Sequence, residues 1–262
     1  MIKQDLKTLE EKSIYIIRET KLKFKNVAAL WSMGKDSTTM LALTRKAFLG
    51  KIPFPVIHID NSIDFPETYA FREYLAKKWN FKVIVGQSEI KPDLVGAACC
   101  GKNKPETLKK IMKEYGFDAL IVSIRRDEHG IRAKERYMSP RDENFKWNYK
   151  DQPAELWDDY ASKLDTKGHI RVHPLLDWNE VDIWSYVKKE HIPVNPLYFS
   201  RNGYRYRSLG CTHCTVPLKS NAKNIDDIIK ELETTKTEER SGRSMDKERE
   251  YVMQKLRALG YM

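Results

Sequence analysis

The segment Ser32-Met33-Gly34-Lys35-Asp36-Ser37 has the composition of a turn that binds a phosphate group. A glycine lets the backbone turn tightly and come close to an anion. The segment lies between a predicted strand and a predicted helix, so the amides of residues 35–38 should point outward at a helix N-terminus, where partial positive charge collects. Lys35 adds a point charge, and the two serines add hydroxyl donors.

Asp36 does not suit a site that binds anions alone. A carboxylate at this position is explained by a Mg²⁺ ion that bridges phosphates, because Mg²⁺ takes oxygen ligands from carboxylates and phosphates. The segment also lacks the Walker spacing, which places four residues between the first glycine and Gly-Lys. The alternative interpretation is an ordinary strand–turn–helix corner in which a serine caps the helix.

Two further groups of polar residues are expected at the same edge of a sheet. Asp60 ends the next predicted strand, and Arg125-Arg126-Asp127 follows a later one. Open parallel sheets bind ligands at the carboxyl ends of their strands, and paired guanidinium groups suit phosphate oxygens. We predict that Lys35, Asp36, Arg125 and Arg126 are catalytic and that nucleotide is bound by Ser32, Gly34, Lys35, Asp36, Ser37, Thr38, His58, Asp60 and Asp127.

Residues 125–141 carry six basic side chains against three acidic ones. We expect this segment to close over an oxyanion. The alternative is a solvated helix with i,i+4 ion pairs such as Glu128–Arg132, and a surface arginine is the default for the more distant candidates. The predicted oxyanion-binding residues are Arg132, Lys134, Arg136, Arg171, Arg207, Arg240 and Arg243.

The four cysteines form two close pairs, Cys99-Cys100 and Cys211-Thr212-His213-Cys214. Disulfides are rare in cytosolic proteins, so a metal or catalysis is considered first. Adjacent cysteines fit poorly around one tetrahedral zinc, whereas an iron–sulfur cluster spreads four thiolates over several irons. A cluster is the favoured interpretation, and a structural zinc or buried thiols remain alternatives.

Apolar runs and helical periodicity alternate along the chain, which is typical of a parallel α/β sheet covered on both faces. Asn179 is the expected N-cap of one helix, and a C-terminal helical and basic extension is expected after residue 215. The predicted strands are 26–31, 54–60, 81–85, 119–123 and 172–175, and the predicted helices are 6–25, 38–48, 66–79, 106–115, 180–190, 225–233 and 248–259.

The turn at residues 32–37 resembles the PP-loop of ATP pyrophosphatases, and long stretches resemble the small, catalytic subunit of bacterial sulfate adenylyltransferase. The most telling matches are Arg125-Arg126-Asp127-Glu128 and Arg132-Ala133-Lys134-Glu135-Arg136. The resemblance implies a Rossmann-like fold of the adenine nucleotide alpha hydrolase type, ATP as substrate, Mg²⁺ and release of pyrophosphate. It also implies a PP-loop domain over residues 1–215, followed by the extension at 216–262.

The cysteine pairs resemble those of assimilatory adenylyl-sulfate reductases, relatives of that subunit, which hold a 4Fe–4S cluster. Phe65-Pro66-Glu67-Thr68-Tyr69 is similar to reductase sequences too. However, those reductases use a further cysteine near the C-terminus, and no cysteine follows Cys214. The sulfurylase subunit, in turn, has a longer segment before Leu209-Gly210-Cys211, which argues against docking to its GTPase partner.

The net charge of +10 and the pI near 9.2 favour polyanionic partners, including nucleic acid, although a solvated basic surface is an equal alternative. No apolar run approaches the roughly 20 residues needed to cross a bilayer. We therefore expect a cytoplasmic protein without a membrane partner, and a homo-oligomer and a monomer are both left open.

Together these patterns predict an enzyme of sulfur metabolism that cleaves ATP at the α-phosphate and adenylylates an oxyanion. The acceptor is left open between sulfate and a nucleic-acid phosphate. The second acceptor resembles DNA phosphorothioation, in which a cysteine desulfurase supplies sulfur. A reductase-like protein and a non-catalytic nucleotide-binding scaffold are the remaining alternatives.

Overall fold

The computed structural model describes residues 5–88, 104–128, 132, 134–147, 155–156, 159–160, 168–235 and 239. The helices are α1 (Leu6–Lys23), α2 (Lys35–Ala47), α3 (Pro66–Trp79), α4 (Lys104–Glu114), α5 (Glu180–Lys189) and α6 (Ile225–Thr234). The strands are β1 (Val27–Leu30), β2 (Val56–Asp60), β3 (Val83–Gln87), β4 (Ala119–Ile121), β5 (Met138–Arg141), β6 (Glu155–Leu156), β7 (Asp159–Tyr160), β8 (His169–Val172), β9 (Tyr204–Arg205) and β10 (Leu218–Lys219). Short 3₁₀ turns cover Arg126–Glu128 and Pro196–Tyr198.

The main sheet has six strands in the order β3-β2-β1-β4-β8-β5. All neighbouring pairs are parallel except β5 with β8, which is antiparallel. The order reverses direction at β1, because the chain moves outward to β2 on one side and to β4 on the other. Such a reversal opens a crevice at the carboxyl ends of the strands, where ligands bind in doubly wound folds.

Helices cover both faces of this sheet, as the sequence predicted. On one face α4 packs through Leu108 and Ile111 against Ile57 and Leu120 of the strands. The other face carries the larger core, which includes α1, α2, α3 and α5 and the fully buried Trp31. Near-continuous apolar strands of this kind are expected when both faces of a parallel sheet are buried.

The predicted element boundaries hold within a few residues, with two exceptions that matter for the site. The helix expected from Thr38 begins at Lys35, so the polar residues of the turn occupy its first turn. The strand expected at residues 172–175 is β8, which begins at His169 and ends at Val172. Strand β5 was not predicted, because Met138–Arg141 is short and lies inside a basic segment expected to be a loop.

Helix α5 begins as the sequence predicts. The Asn179 side chain accepts a hydrogen bond from the Asp182 amide at 3.0 Å, and the Asp182 carboxylate accepts one from the Asn179 amide at 3.0 Å. This reciprocal pair is a capping box, which satisfies amides that have no partner inside the helix. The firm start fixes Glu180 at the first helical position, close to the turn before α2.

Helix α6 belongs to the extension expected after residue 215, yet it packs on α5, and its Ile228 and Leu232 are part of the larger core. Within the described residues, no helix is long and apolar enough to cross a membrane. The predicted helix 248–259 lies outside the described residues, as do Cys99, Cys100, Arg240 and Arg243.

Candidate functional site at the N-terminus of helix α2

The turn between β1 and α2 takes its shape from Met33 rather than from the glycine beside it. Met33 has a left-handed backbone with φ of 55°, whereas Gly34 is extended, with φ of −78° and ψ of 165°. A non-glycine residue in the left-handed region is uncommon and costs free energy. The expectation that Gly34 makes the tight turn is therefore corrected, since Met33 makes it.

Gly34 is needed for space. A Cβ atom at this position would lie 3.3 Å from the Tyr198 hydroxyl and 3.4 Å from Ser32 Oγ. The same hydroxyl accepts a hydrogen bond from the Lys35 amide at 2.8 Å. Tyr198 thus holds the first amide of α2, which is one of the amides that a phosphate would contact.

The hydroxyls of the turn bond to one another. Ser37 Oγ accepts a hydrogen bond from the Ser32 amide at 3.2 Å and lies 3.2 Å from Ser32 Oγ. Thr38 is completely buried, and its Oγ1 accepts a hydrogen bond from the Trp31 indole at 3.1 Å. Ser32 therefore borders the open space, whereas Thr38 anchors the helix in the core.

Two buried cations, Lys35 and Arg125, lie side by side behind the turn. Their side chains are 1% and 0% exposed, and both contact the carboxylate of Glu239. Lys35 Nζ is also 3.2 Å from Asp36 Oδ2, and Arg125 pairs with Asp36 as well. Arg125 Nε donates a hydrogen bond to the Asp127 carboxylate at 2.9 Å. Each cation is therefore paired with at least two carboxylates.

The ionisation of this group follows from its pairing. Burial by itself raises the pKa of Glu239, but the charges of Lys35 and Arg125 outweigh burial and hold that pKa below its usual range. Burial opposes the charged form of Arg125, yet Glu239, Asp127 and Glu180 raise its pKa above the usual value. The Glu239 carboxylate and the Arg125 guanidinium are consequently charged at neutral pH.

Three carboxylates meet in front of the two cations. One oxygen each from Asp36, Glu128 and Glu239 lies within 4.8 Å of the others. Hard divalent cations take carboxylate oxygens as ligands, so this donor set fits a Mg²⁺ ion. Asp36 was predicted from the sequence as a Mg²⁺ ligand, and the structure places Glu128 and Glu239, from distant parts of the chain, beside it.

The carboxyl end of β2 forms a separate polar network. Asp60 accepts hydrogen bonds from the Tyr69 hydroxyl at 2.9 Å and from the Ser62 amide at 2.7 Å. Burial raises the pKa of Asp60, but these two hydrogen bonds and the charge of Arg72 together outweigh burial, and the net shift is downward. His58 Nδ1 lies 2.9 Å from Arg72. His58 lines the cleft described below, whereas Asp60 is held beside it.

Arg126 points away from Arg125 despite their adjacency. It pairs with Asp177, and its guanidinium lies 5.5 Å from the ring centre of Tyr137. Asp127 instead joins the central group, because its second oxygen accepts a hydrogen bond from the Glu180 amide at 2.9 Å. Of the predicted catalytic pair, the structure brings only Arg125 to the turn.

Only some of the predicted oxyanion-binding residues that the structure describes line the cleft. Arg132 and Arg171 line the cleft. Arg207 makes a two-bond ion pair with Glu180 at 3.0 and 2.7 Å, and Lys134 is exposed. Arg136 is half-buried and lies outside the lining residues. The i,i+4 pair Glu128–Arg132, considered above as a surface feature, is present beside the cleft.

Cys211 and Cys214 are both buried on one tight turn. The Cys214 amide donates to the Cys211 carbonyl at 3.2 Å, and the Thr212 amide donates to the Ile63 carbonyl at 2.9 Å. The turn is thus fixed to the loop after β2. Leu209 and Gly210, which precede it directly, line the cleft.

These elements enclose a cleft of about 440 Å³ at the carboxyl ends of the central strands. Sequence reasoning missed Tyr198, Glu128 and Glu239 as site residues. Glu128 was within reach, because it directly follows Arg125-Arg126-Asp127. Nothing local marks Glu239, which contacts Lys35 across 204 positions of sequence.

The fold and the cleft define an α/β protein with an open parallel sheet, in which the N-terminus of α2 borders a cleft at the carboxyl ends of the central strands. Solved structures share the fold. Candida glabrata FMN adenylyltransferase in complex with ATP superposes with a TM-score of 0.58 at 20% identity, covering 81% of this chain and 63% of that chain. Phosphoadenylyl-sulfate reductase from Candida auris gives 0.54 at 18%, covering 82% and 99%.

The solved structures show the fold, whereas comparison of sequences identifies the family. The phosphoadenosine phosphosulfate reductase domain family matches residues 26–217. Sulfate adenylyltransferase subunit 2 of Colwellia psychrerythraea is 40% identical over 293 aligned positions, covering 98% of each chain. The corresponding protein of Ectopseudomonas mendocina is 39% identical over 300 positions, covering 98% of this chain and 97% of the relative. The chain belongs to the phosphoadenosine phosphosulfate reductase domain family and, within it, to the sulfate adenylyltransferase subunit 2 proteins.

The alignment also shows a difference in length. It spans 293 positions, whereas this chain has 262 residues, so at least 31 positions (293 − 262) hold residues of the relative alone.

Proposed function

We propose that this protein cleaves ATP between the α- and β-phosphates and transfers the adenylyl group to sulfate, releasing pyrophosphate. The observation that carries the proposal is the turn at residues 32–37, which presents the N-terminus of α2 to a cleft at the reversal point of the sheet. The name of its 40% identical relatives, sulfate adenylyltransferase subunit 2, supports the same reaction.

Lys35 and Arg125 are the groups that bind the triphosphate in this proposal. Both are buried and charged, and each is now paired with Glu239. When phosphate oxygens bind at the turn, they replace Glu239 as the partner of these two cations, because a triphosphate carries more negative charge than one carboxylate. The N-terminus of α2 adds partial positive charge at a fixed position, which needs no rearrangement.

Mg²⁺ fits the carboxylates of Asp36, Glu128 and Glu239. When bound, it supplies neutralisation of phosphate charge. The chain itself positions the reactants: the turn holds the phosphates and the cations stabilise the charge that develops as pyrophosphate departs. A sulfate oxygen forms a bond to the α-phosphorus, and the bond from that phosphorus to the bridging oxygen of pyrophosphate breaks. No protein nucleophile is required.

The test is pyrophosphate release from ATP with sulfate present, comparing the wild-type protein with Lys35→Ala. We expect kcat/KM to fall at least about 100-fold in the variant, as when a preorganised charge that stabilises a transition state is removed. Lys51→Ala is the matched control, since Lys51 is exposed. A Lys35→Ala protein that folds and retains wild-type turnover would contradict the proposal.

The relatives are named subunit 2 of an enzyme, so we propose a partner subunit for this chain too. Assays are therefore run on the chain alone and on the protein purified with its native partner. We place the reaction in the cytoplasm, where ATP is supplied.

A second candidate function is sulfur insertion into DNA, with a nucleic-acid phosphate as acceptor and a cysteine desulfurase as sulfur donor. The observation favouring it is the buried Cys211–Cys214 turn directly beyond the cleft-lining Leu209 and Gly210. With Cys99 and Cys100 it would hold a 4Fe–4S cluster, or zinc. Anaerobic purification with iron and sulfide analysis tests the cluster, and DNA-dependent pyrophosphate release tests the acceptor. Absence of both would eliminate this function.

A further inference from the structure

Arg171 occupies an unusual place for a charged side chain, the middle of an interior strand. It belongs to β8, where it is paired in register with Leu120 of β4 and Ser139 of β5. β4 and β8 run parallel to β1, so Arg171 faces the same cleft as the turn before α2, two strands away. An arginine in such a strand requires a specific partner.

Among the described residues, no such partner is present. Arg171 Nε is buried and makes no hydrogen bond, and no ion pair of the described residues includes Arg171. Two basic neighbours, in contrast, have carboxylate partners: Arg132 pairs with Glu128, and Arg141 pairs with Glu135 at 2.7 Å.

The pKa shifts of Arg171 and His173 are those expected for a region with more positive than negative charge. Burial lowers the pKa of Arg171, and Glu135 only partly offsets this. Burial is also the main cause that lowers the pKa of His173 to about 3, and the charges of Arg141, Arg171 and Arg132 lower it further. The His173 ring is therefore neutral and offers no charge of its own. A buried, unpaired guanidinium is costly, so this end of the cleft favours an anion.

We propose that Arg171 anchors a subsite for a free tetrahedral oxyanion, with sulfate as the ligand. The inference deepens the proposed function and rests on it. A small ion in solution can reach a side chain set inside the sheet. A phosphodiester of nucleic acid carries a nucleoside on each side, so its phosphate approaches a side chain set inside the sheet less readily than a free ion does. The subsite therefore favours sulfate over DNA as acceptor.

The first test measures thermal stability as sodium sulfate is added, with sodium chloride at equal ionic strength as the reference. Sulfate should raise the Tm of the wild-type protein by several degrees and leave Arg171→Met almost unchanged. Arg201→Met is the control, because Arg201 is exposed, and it should respond like the wild type. Equal sulfate stabilisation of Arg171→Met would overturn the proposal.

Arg171→Lys is the second variant, used if Arg171→Met does not fold. It keeps the charge but loses the planar fork that makes two bonds to an oxyanion. We expect a sulfate response clearly smaller than that of the wild type. A response equal to that of the wild type would count against the subsite.

The second test separates sulfate from the nucleotide. In Arg171→Met the KM for sulfate should rise at least tenfold, while the KM for ATP stays within twofold. If the KM for ATP rises and that for sulfate does not, Arg171 binds a phosphate of the nucleotide and the proposal is wrong.

The two tests fail independently of the proposed function. Sulfate-dependent turnover with an unchanged sulfate KM in Arg171→Met would remove the subsite and leave the function. Stabilisation by sulfate that depends on Arg171, without any pyrophosphate release, would leave the subsite and remove the function. Stabilisation of the wild type by phosphate but not by sulfate would overturn sulfate as the ligand.

Discussion

The two ends of the cleft both contain buried arginine, yet the surroundings of that arginine differ. At the α2 end Arg125 is completely buried and contacts three carboxylates, those of Asp36, Asp127 and Glu239. At the β8 end Arg171 has no ion pair among the described residues. Arg125 is thus held by carboxylates of the chain itself, whereas Arg171 is the proposed anchor for a ligand from solution.

The difference shows how to separate a structural charge from a binding charge. A charge whose counter-ions come from the chain stabilises the fold and must exchange partners before it can bind a ligand. A charge without counter-ions costs stability and binds directly. Substitutions at the two ends should consequently have opposite effects on stability.

The largest effect is expected for Arg125→Met. This change removes the cation that contacts Asp36, Asp127 and Glu239 and leaves only Lys35 beside two of these carboxylates. Breaking a buried ion pair in this way costs about 3–5 kcal/mol of the free energy of unfolding. Arg171→Met, in contrast, should leave stability in sulfate-free buffer unchanged or raise it. Urea denaturation of both variants measures the comparison. If the two substitutions lowered the free energy of unfolding equally, the proposed difference between the two arginines would be wrong.

The next effect concerns pH at the β8 end. The pKa of His173 is lowered to about 3 in the folded protein, mainly by burial and then by nearby arginines, against about 6.5 in the unfolded chain. The unfolded state therefore binds the extra proton first as pH falls. Stability due to this group is complete above pH 6.5 and is lost as pH falls towards 3, by about 1.4 kcal/mol per pH unit.

NMR titration of the imidazole checks this directly. We expect no titration of His173 between pH 5 and 8 in the wild type. In Arg171→Met one of the facing charges is gone, while those of Arg132, Arg141 and Glu135 remain, so its pKa should rise only in part. A wild-type titration near pH 6.5 would show that the positive surroundings are misassigned.

The smallest effect is expected for Glu239→Gln. The substitution removes the carboxylate that neutralises Lys35 and Arg125. Inorganic pyrophosphate, measured with EDTA so that no metal contributes, should then bind about three- to tenfold more tightly, or about 0.7–1.4 kcal/mol. Glu233→Gln is the control, because Glu233 is exposed on the same part of the chain. Unchanged or weaker binding in Glu239→Gln would show that Glu239 does not compete with phosphate.

The fold was largely predictable from sequence. Apolar strands such as Val56–Asp60 and a helix bounded by Pro66 and Trp79 follow from local pattern and turn chemistry. The turn at residues 32–37 was identified by its residue types. Strand β5 was not, because β8, the strand with which it pairs, begins only at His169, far along the chain from the end of β5 at Arg141.

The pairing of charges was beyond sequence reasoning. Arg125 and Arg126 are equivalent by type and position, but one turns to Asp36 and the other to Asp177. Likewise, no local signal distinguishes Arg171 from Arg207, which is paired with Glu180. These outcomes depend on which carboxylates the fold brings near, and only tertiary structure determines that.

The most direct test of the central claim is to incubate the protein, with its native partner, with ATP, Mg²⁺ and sulfate labelled with ¹⁸O at all four oxygens. Pyrophosphatase removes the pyrophosphate, and the nucleotide product is analysed by mass spectrometry. Attack by sulfate on the α-phosphorus predicts adenylyl sulfate that carries all four labelled oxygens, one of them in the bridge. Consumption of ATP at the same rate without sulfate, giving unlabelled AMP alone, would contradict the account.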